Sequence, residues 1–147
     1  MEEDRPKATK DSWSNLYPFP DTSTRIRLNY SFTEEEFEKI SYGLVPKCMD
    51  DHWFAFLDDD TLYLHRSWTG HAIYKARFVK VGNLHILRDV CINKSGLRPI
   101  YRFFPKWMYA RLLLFLILDS ILEQDNPLSS LTFFNNSYRA LFVRKNR

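Results

Sequence analysis

The chain of 147 residues is poor in the residue types that would settle its class at once. It has only two cysteines, Cys48 and Cys91, 43 positions apart. A small secreted scaffold held by disulfides uses more, and no CxxC or His–Cys cluster offers a zinc site. Glycine is scarce, 4 residues against 7 prolines, which excludes a collagen-like or linker-like chain. Long apolar runs are missing too. The strongest, Leu112 to Leu118, is seven residues between Arg111 and Asp119. Crossing a bilayer takes about 20, so this run is expected as a buried helix, and no membrane is expected among the partners. The opening MEEDRPKATK is charged and lacks the apolar stretch of a signal peptide. The expectation is a soluble, cytoplasmic protein with both thiols reduced. Catalytic signatures are absent as well: there is no GxGxxG, Walker loop, GxSxG elbow or HExxH. No metal or cofactor is expected.

Aromatic residues are plentiful: 12 Phe, 8 Tyr and 4 Trp, or 16% of the chain. With 45% apolar and 27% charged residues, a real core is available and wholesale disorder is excluded. The length suits one domain, and rings are left over for a binding surface.

Local patterning gives the elements. Residues 1–23 are polar and Pro-rich, with Trp13, Leu16, Tyr17 and Phe19 as isolated anchors, and suggest an extended arm, loose at its start. Residues 24–147 form the domain. Over 24–31, Ile26, Leu28 and Tyr30 alternate with Arg25, Arg27 and Asn29, the period of a strand. Thr33 followed by Glu36 is a capping box, flanked by Phe32 and Phe37 as a hydrophobic staple, and Gly43 stops the short helix. Strands are expected over 53–57, 61–68, 71–80 and 84–92, joined by turns at Asp58-Asp59-Asp60 and Val81-Gly82-Asn83. The connections are too short for crossovers, which makes an antiparallel meander. Tyr101 to Phe104 adds a short strand, and Pro105 opens the longest helix, Lys106 to Gln124, apolar almost all round. Asp125-Asn126-Pro127 ends it, with an edge strand expected at 131–134 and a last strand or short helix at 138–143. The class is α+β: one domain, a meander sheet packed against one long C-terminal helix and a short N-terminal helix.

Charge is arranged in blocks. Residues 31–60 carry nine acids and two lysines, a balance of −7, whereas residues 61–111 carry ten bases and one acid, Asp89, a balance of +9. The middle of the chain is therefore able to build an anion-binding face. The alternative is that the two blocks pack side by side and neutralise each other.

The densest polar cluster is Leu62-Tyr63-Leu64-His65-Arg66-Ser67-Trp68-Thr69-Gly70-His71. Period-two alternation puts Leu62, Leu64, Arg66 and Trp68 on one face and Tyr63, His65, Ser67 and Thr69 on the other. A guanidinium beside an indole suits bidentate contact with phosphate or carboxylate. The second face is a hydrogen-bonding strip. So many polar groups on a strand are what a functional site produces. Each residue also has an ordinary role: a satisfied sheet histidine for His65, a surface ion pair for Arg66, a core ring for Trp68, cross-strand hydroxyls for Ser67 and Thr69. Lys75 and Arg77 extend the same surface, or else cover apolar area with their long stems. Asp50-Asp51-His52 offers acid–base or metal chemistry, or simply a polar loop entering a strand. Asp58-Asp59-Asp60 lacks the spaced ligands of a calcium loop. Arg98, Arg102 and Lys106 near Tyr101 and Trp107 have the makings of phosphate contact and stacking, but the modest net charge of +3 and the lack of an RNA-binding signature leave nucleic acid outside the expected partners.

Asp50-Asp51-His52-Trp53-Phe54, followed by Leu62 to Gly70 and Ile73-Tyr74, resembles an uncharacterised, mainly bacterial family with a (D/E)-x-W-F … LY-(F/L)-HRSWTG … IY signature. The resemblance covers roughly residues 28–92. It implies proteins associated with ADP-ribose chemistry and hence a nucleotide-like ligand, without catalytic assignments.

Three functions compete. The first is a binding domain for an anionic, nucleotide-like or ADP-ribose-like ligand, held by Tyr63, His65, Arg66, Ser67, Trp68, Thr69, Lys75 and Arg77. The second is a protein–protein interaction module, such as an immunity or accessory protein, that docks a partner or a second copy through its arm. The third is a hydrolase of ADP-ribose-type substrates with His65 as acid–base beside Asp51 or Asp89. The oligomeric state stays open.

Overall fold

The computed structural model describes residues 6–48 and 50–122. Five strands form one antiparallel sheet: β1 (Thr24–Thr33), β2 (Trp53–Asp58), β3 (Thr61–Arg66), β4 (Ala72–Val81) and β5 (Leu84–Ile92). Their order across the sheet is β1-β5-β4-β3-β2, so the four-stranded meander holds and β1 adds itself at the edge beside β5. Two helices complete the α+β domain, α1 (Glu34–Ser41) and α2 (Lys106–Phe115). The strand expected at 131–134, the strand or short helix at 138–143 and the helix end at 125–127 lie outside the described residues.

Alternation decides which side chains enter the core. Ile26 and Tyr30 of β1 are buried and Leu28 packs against them, alongside Leu62 and Leu64 of β3, Tyr74, Ala76 and Phe78 of β4, and, across the register slip at Arg88 that breaks the alternation, Leu87 and Val90 of β5. Helix α1 closes one end of this layer. The Glu36 amide donates to Thr33 Oγ1 at 3.1 Å and the Thr33 amide to Glu36 Oε1 at 2.9 Å, the reciprocal capping expected from the sequence. The staple closes through a third ring: Phe32 and Phe37 both meet Phe78 edge-on, at 5.9 and 5.1 Å. Gly43 ends the helix at φ +72°, where a side chain would strike the Ala55 carbonyl. The chain then runs along β2, where Leu44 and Ala55 exchange two backbone bonds of 2.9 Å.

Three elements differ from expectation. The third expected strand stops at Arg66, because the Gly70 amide donates back to the Arg66 carbonyl at 2.8 Å and closes a turn. Tyr101–Phe104 is no strand. Its amides donate three residues back, Tyr101 to Arg98 and Arg102 to Pro99, which curls the segment into a 3₁₀ turn over Pro99–Tyr101. The long helix changes its winding after Phe115 and continues as a π-helix over Leu116–Ile121. Leu116, Ile117 and Leu118 are all buried.

The arm does not stay extended in solvent. After a 3₁₀ turn at Lys10–Ser12, it crosses the second face of the sheet over β2 and β3. Ala8, Phe54 and Phe56 form a second small core there, with Trp13, Leu16 and Tyr63 packed around it.

Candidate functional site

The two-residue turn at Asp59-Asp60 sets the register of β2 on β3: Trp53 lies opposite Arg66, Phe54 opposite His65, Phe56 opposite Tyr63. Arg66 is therefore on the helix-covered face, with Leu62 and Leu64, and His65 is on the arm-covered face. That much follows the alternation. Beyond Arg66 the chain turns, and Ser67, Trp68 and Thr69 no longer belong to either face of the strand.

The turn residues fasten the arm. The indole N–H of Trp13 donates to the Ser67 carbonyl at 2.9 Å, and the Tyr17 amide donates to the Gly70 carbonyl at 3.0 Å. The Tyr17 ring stacks on His71 at 5.1 Å. Ser67 is held in turn: its hydroxyl donates to the Asp51 carbonyl at 2.9 Å and its amide to the His52 carbonyl at 2.9 Å. Thr69 Oγ1 accepts from the His71 amide at 3.2 Å. Gly70 sits at φ +80°, and a Cβ there would lie 1.9 Å from the Asn15 carbonyl oxygen.

His65 is buried under this clasp. Its Nδ1 lies 3.0 Å from the Gly70 carbonyl; a carbonyl only accepts, so Nδ1 carries the proton. The Phe54 and Phe56 rings pack against it together, 6.2 and 5.9 Å away. The acid–base pairings weighed from the sequence are absent. Asp51 accepts from the Lys47 amide at 2.8 Å, and Asp89 is bound to Arg77 at 2.9 Å and Arg27 at 3.6 Å. Those two guanidinium groups, Arg77 first, hold the Asp89 carboxyl below its ordinary range.

Burial holds the His65 imidazole below its usual 6.5, against a smaller upward pull from the Gly70 carbonyl. The native state thus leaves it neutral where the unfolded chain takes up a proton. The unfolded state binds more protons in that window, so stability falls as pH drops through about 6.5. Urea midpoints taken from pH 7.5 down to 5.5 are expected to fall, with a smaller slope in His65→Asn, which keeps a donor near Gly70. An identical slope in the two proteins would remove the burial argument.

Arg66 is the member of the cluster with unfilled capacity. Its guanidinium lies over the Trp53 ring, 5.0 Å from the centroid, and Trp53 packs in turn on Tyr74 at 6.2 Å. Burial and the nearby Arg98 guanidinium lower its pKa, and Tyr101 opposes them; arginine remains a cation at neutral pH regardless. Among the described residues no carboxylate pairs with it. The partner ring is Trp53 rather than Trp68, which stands on the turn, 67% exposed, with His52 at 6.3 Å.

The remaining candidates go elsewhere. Tyr63 stacks on Phe56 at 5.2 Å under the arm. Arg77 is engaged with Asp89. Lys75 shares an open hollow of about 580 Å³ with Arg25, Cys91 and arm residues Asp21 to Ser23, on the face opposite Arg66. The eight residues therefore do not form one pocket. The charge blocks are not joined by close ion pairs either: among the described residues only Lys80, of the ten bases in 61–111, is ion-paired to the acidic block, through Glu34 at 3.3 Å. Among the described residues no cluster of His, Cys, Asp and Glu is arranged to hold a metal ion, and no helix is long and apolar enough to cross a membrane. Sequence reasoning missed Trp53 as the ring under Arg66, although counting back from a two-residue turn pairs them. It had no signal for Arg98 at the same site. Comparison with family models, curated proteins and solved structures finds no match to this chain.

Proposed function

We propose that the protein binds a small phosphate-bearing, nucleotide-like anion, with Arg66 as the principal contact. One observation carries this reading: the Arg66 guanidinium is partly withdrawn from water, rests on Trp53 and has a second guanidinium, Arg98, as its charged neighbour. Partial burial of a cation without a counter-charge is unfavourable, and so is the approach of two like charges. A phosphate on the N–H edge of Arg66 supplies the missing counter-charge and offsets the repulsion from Arg98. The ring beneath occupies one face of the guanidinium and leaves its N–H edge to make a bidentate bond. Tyr101 adds a phenol, and the exposed Trp68 offers a ring to a base. The resemblance in HRSWTG implies the same ligand class. Ser67, Thr69, Gly70 and His65 then serve by fixing the turn that follows Arg66.

Calorimetry and thermal shift against ADP-ribose, NAD and ATP are expected to give a signal that weakens with salt. One charge-assisted bond contributes roughly 1.5–3 kcal/mol, so Arg66→Ala should weaken binding by about tenfold or more. A panel of nucleotides that leaves the melting temperature unmoved, or equal affinity in Arg66→Ala, sinks the reading.

A further inference from the structure

Between Asp89 and Asp119 the sequence has no acidic residue, while Lys94, Arg98, Arg102, Lys106 and Arg111 supply five cations. The loop that leads into α2 lies inside this stretch. It carries four large apolar side chains turned to solvent: Phe103 at 88% exposure, Ile100 at 72%, Trp107 at 54% and Tyr101 at 45%. Single exposed apolar residues are ordinary. Four within eight positions, interleaved with cations, are not.

The loop is also braced from within. Arg102 Nε donates to the Leu97 carbonyl at 2.9 Å and its Nη2 to the Ser95 carbonyl at 3.1 Å. The Tyr109 hydroxyl donates to the Tyr101 carbonyl and accepts from the Phe104 amide at 3.3 Å. Tyr109 is itself buried, and its own carbonyl accepts from the Tyr74 hydroxyl at 2.8 Å. Arg102 and the backbone groups of the loop are thus tied inward, while Arg98, Lys106 and the apolar side chains stand outside. Rigid presentation of this kind lowers the ordering cost of a contact.

We propose that this loop docks the protein onto the surface of a bilayer containing anionic lipids. Phe103, Ile100 and Trp107 would enter the headgroup boundary, and Arg98 and Lys106 would lie against the lipid phosphates. Aromatic side chains beside Lys and Arg are the pairing that membrane interfaces favour. A protein partner would need an acidic face of its own opposite Arg98 and Lys106, whereas a bilayer with anionic lipids presents that charge over its whole surface. The contact lies on the membrane and needs no spanning helix. It goes beyond the anion site, with which it shares Arg98 and Tyr101, and its test reads Phe103, Trp107 and Lys106, which have no part in that site.

The test is flotation of the full chain with phosphatidylcholine vesicles, with and without phosphatidylserine. Binding is expected only with phosphatidylserine, and added salt should weaken it. Phe103→Ser and Trp107→Ser should each reduce partitioning by about tenfold, the loss expected for one large apolar group, with the urea midpoint unchanged. Lys106→Glu should also weaken it. The inference is overturned if no fraction floats with anionic vesicles at low salt, or if Phe103→Ser floats like the parent. It is equally overturned if sedimentation shows a lipid-free dimer that Phe103→Ser dissociates, since the patch then belongs to a second copy.

Discussion

Gly70→Ala is expected to destabilise the protein by roughly 3 kcal/mol or more and to release the arm. Two effects add. A non-glycine residue in the left-handed region costs about 1–2 kcal/mol, and Gly70 holds φ +80°. The added methyl would also sit 1.9 Å from the Asn15 carbonyl oxygen, a backbone atom without freedom to swing aside. Asn15 lies between Trp13 and Tyr17, the two points at which the arm is bonded to the turn. Relief of the clash therefore breaks those bonds or shifts the turn under His65. The measurements are a urea titration and limited proteolysis, with new cleavage expected within residues 6–23. A midpoint close to the parent's, with the arm still protected, would show that the clasp does not hold the arm.

Phe54→Ala is the second large effect, about 3–5 kcal/mol. Phe54 is fully buried, yet it belongs to the smaller core, between Trp13 at 6.1 Å and Phe56 at 5.8 Å. Truncation leaves a cavity walled on one side by an arm outside the strand ladder, and such a wall collapses more readily than a strand does. The cost should therefore fall toward the lower end of the range. The double variant Gly70→Ala/Phe54→Ala should lose less than the two losses added together, because a released arm no longer packs on Phe54. Strict additivity in urea midpoints would mean that the arm and the second core are independent.

Much of the sheet was legible because its information is local. The alternation of Ile26, Leu28 and Tyr30, the Thr33–Glu36 box and the turn at Asp59 are each decided within a few residues. The failures have a common cause. The period that assigned Trp68 to the face of Arg66 holds only while the chain stays extended, and the turn after Arg66 ends it. The docking of residues 6–23 has no local signal, since Trp13 and Tyr17 bond to carbonyls more than fifty positions away, and carbonyls are the same in every residue. Arg66 was found by its type, but its setting was not. Trp53 comes from the neighbouring strand, and Arg98 from a loop whose path depends on tertiary packing. The polar richness of HRSWTG was read as a ligand strip; much of it serves to fasten one piece of backbone to another.

The bonds between Leu44 and Ala55 bear on what the sheet does in a crowded solution. They occupy donors and acceptors along the outer rim of β2, where a strand from another molecule would otherwise pair. The opposite rim, β1, carries Arg25 and Arg27 and slips register between Arg27 and Tyr30, so it presents charge and an uneven ladder to any incoming chain. With one border occupied at its middle and the other made irregular, accretion of further strands, the first step toward fibrils, is opposed at both margins.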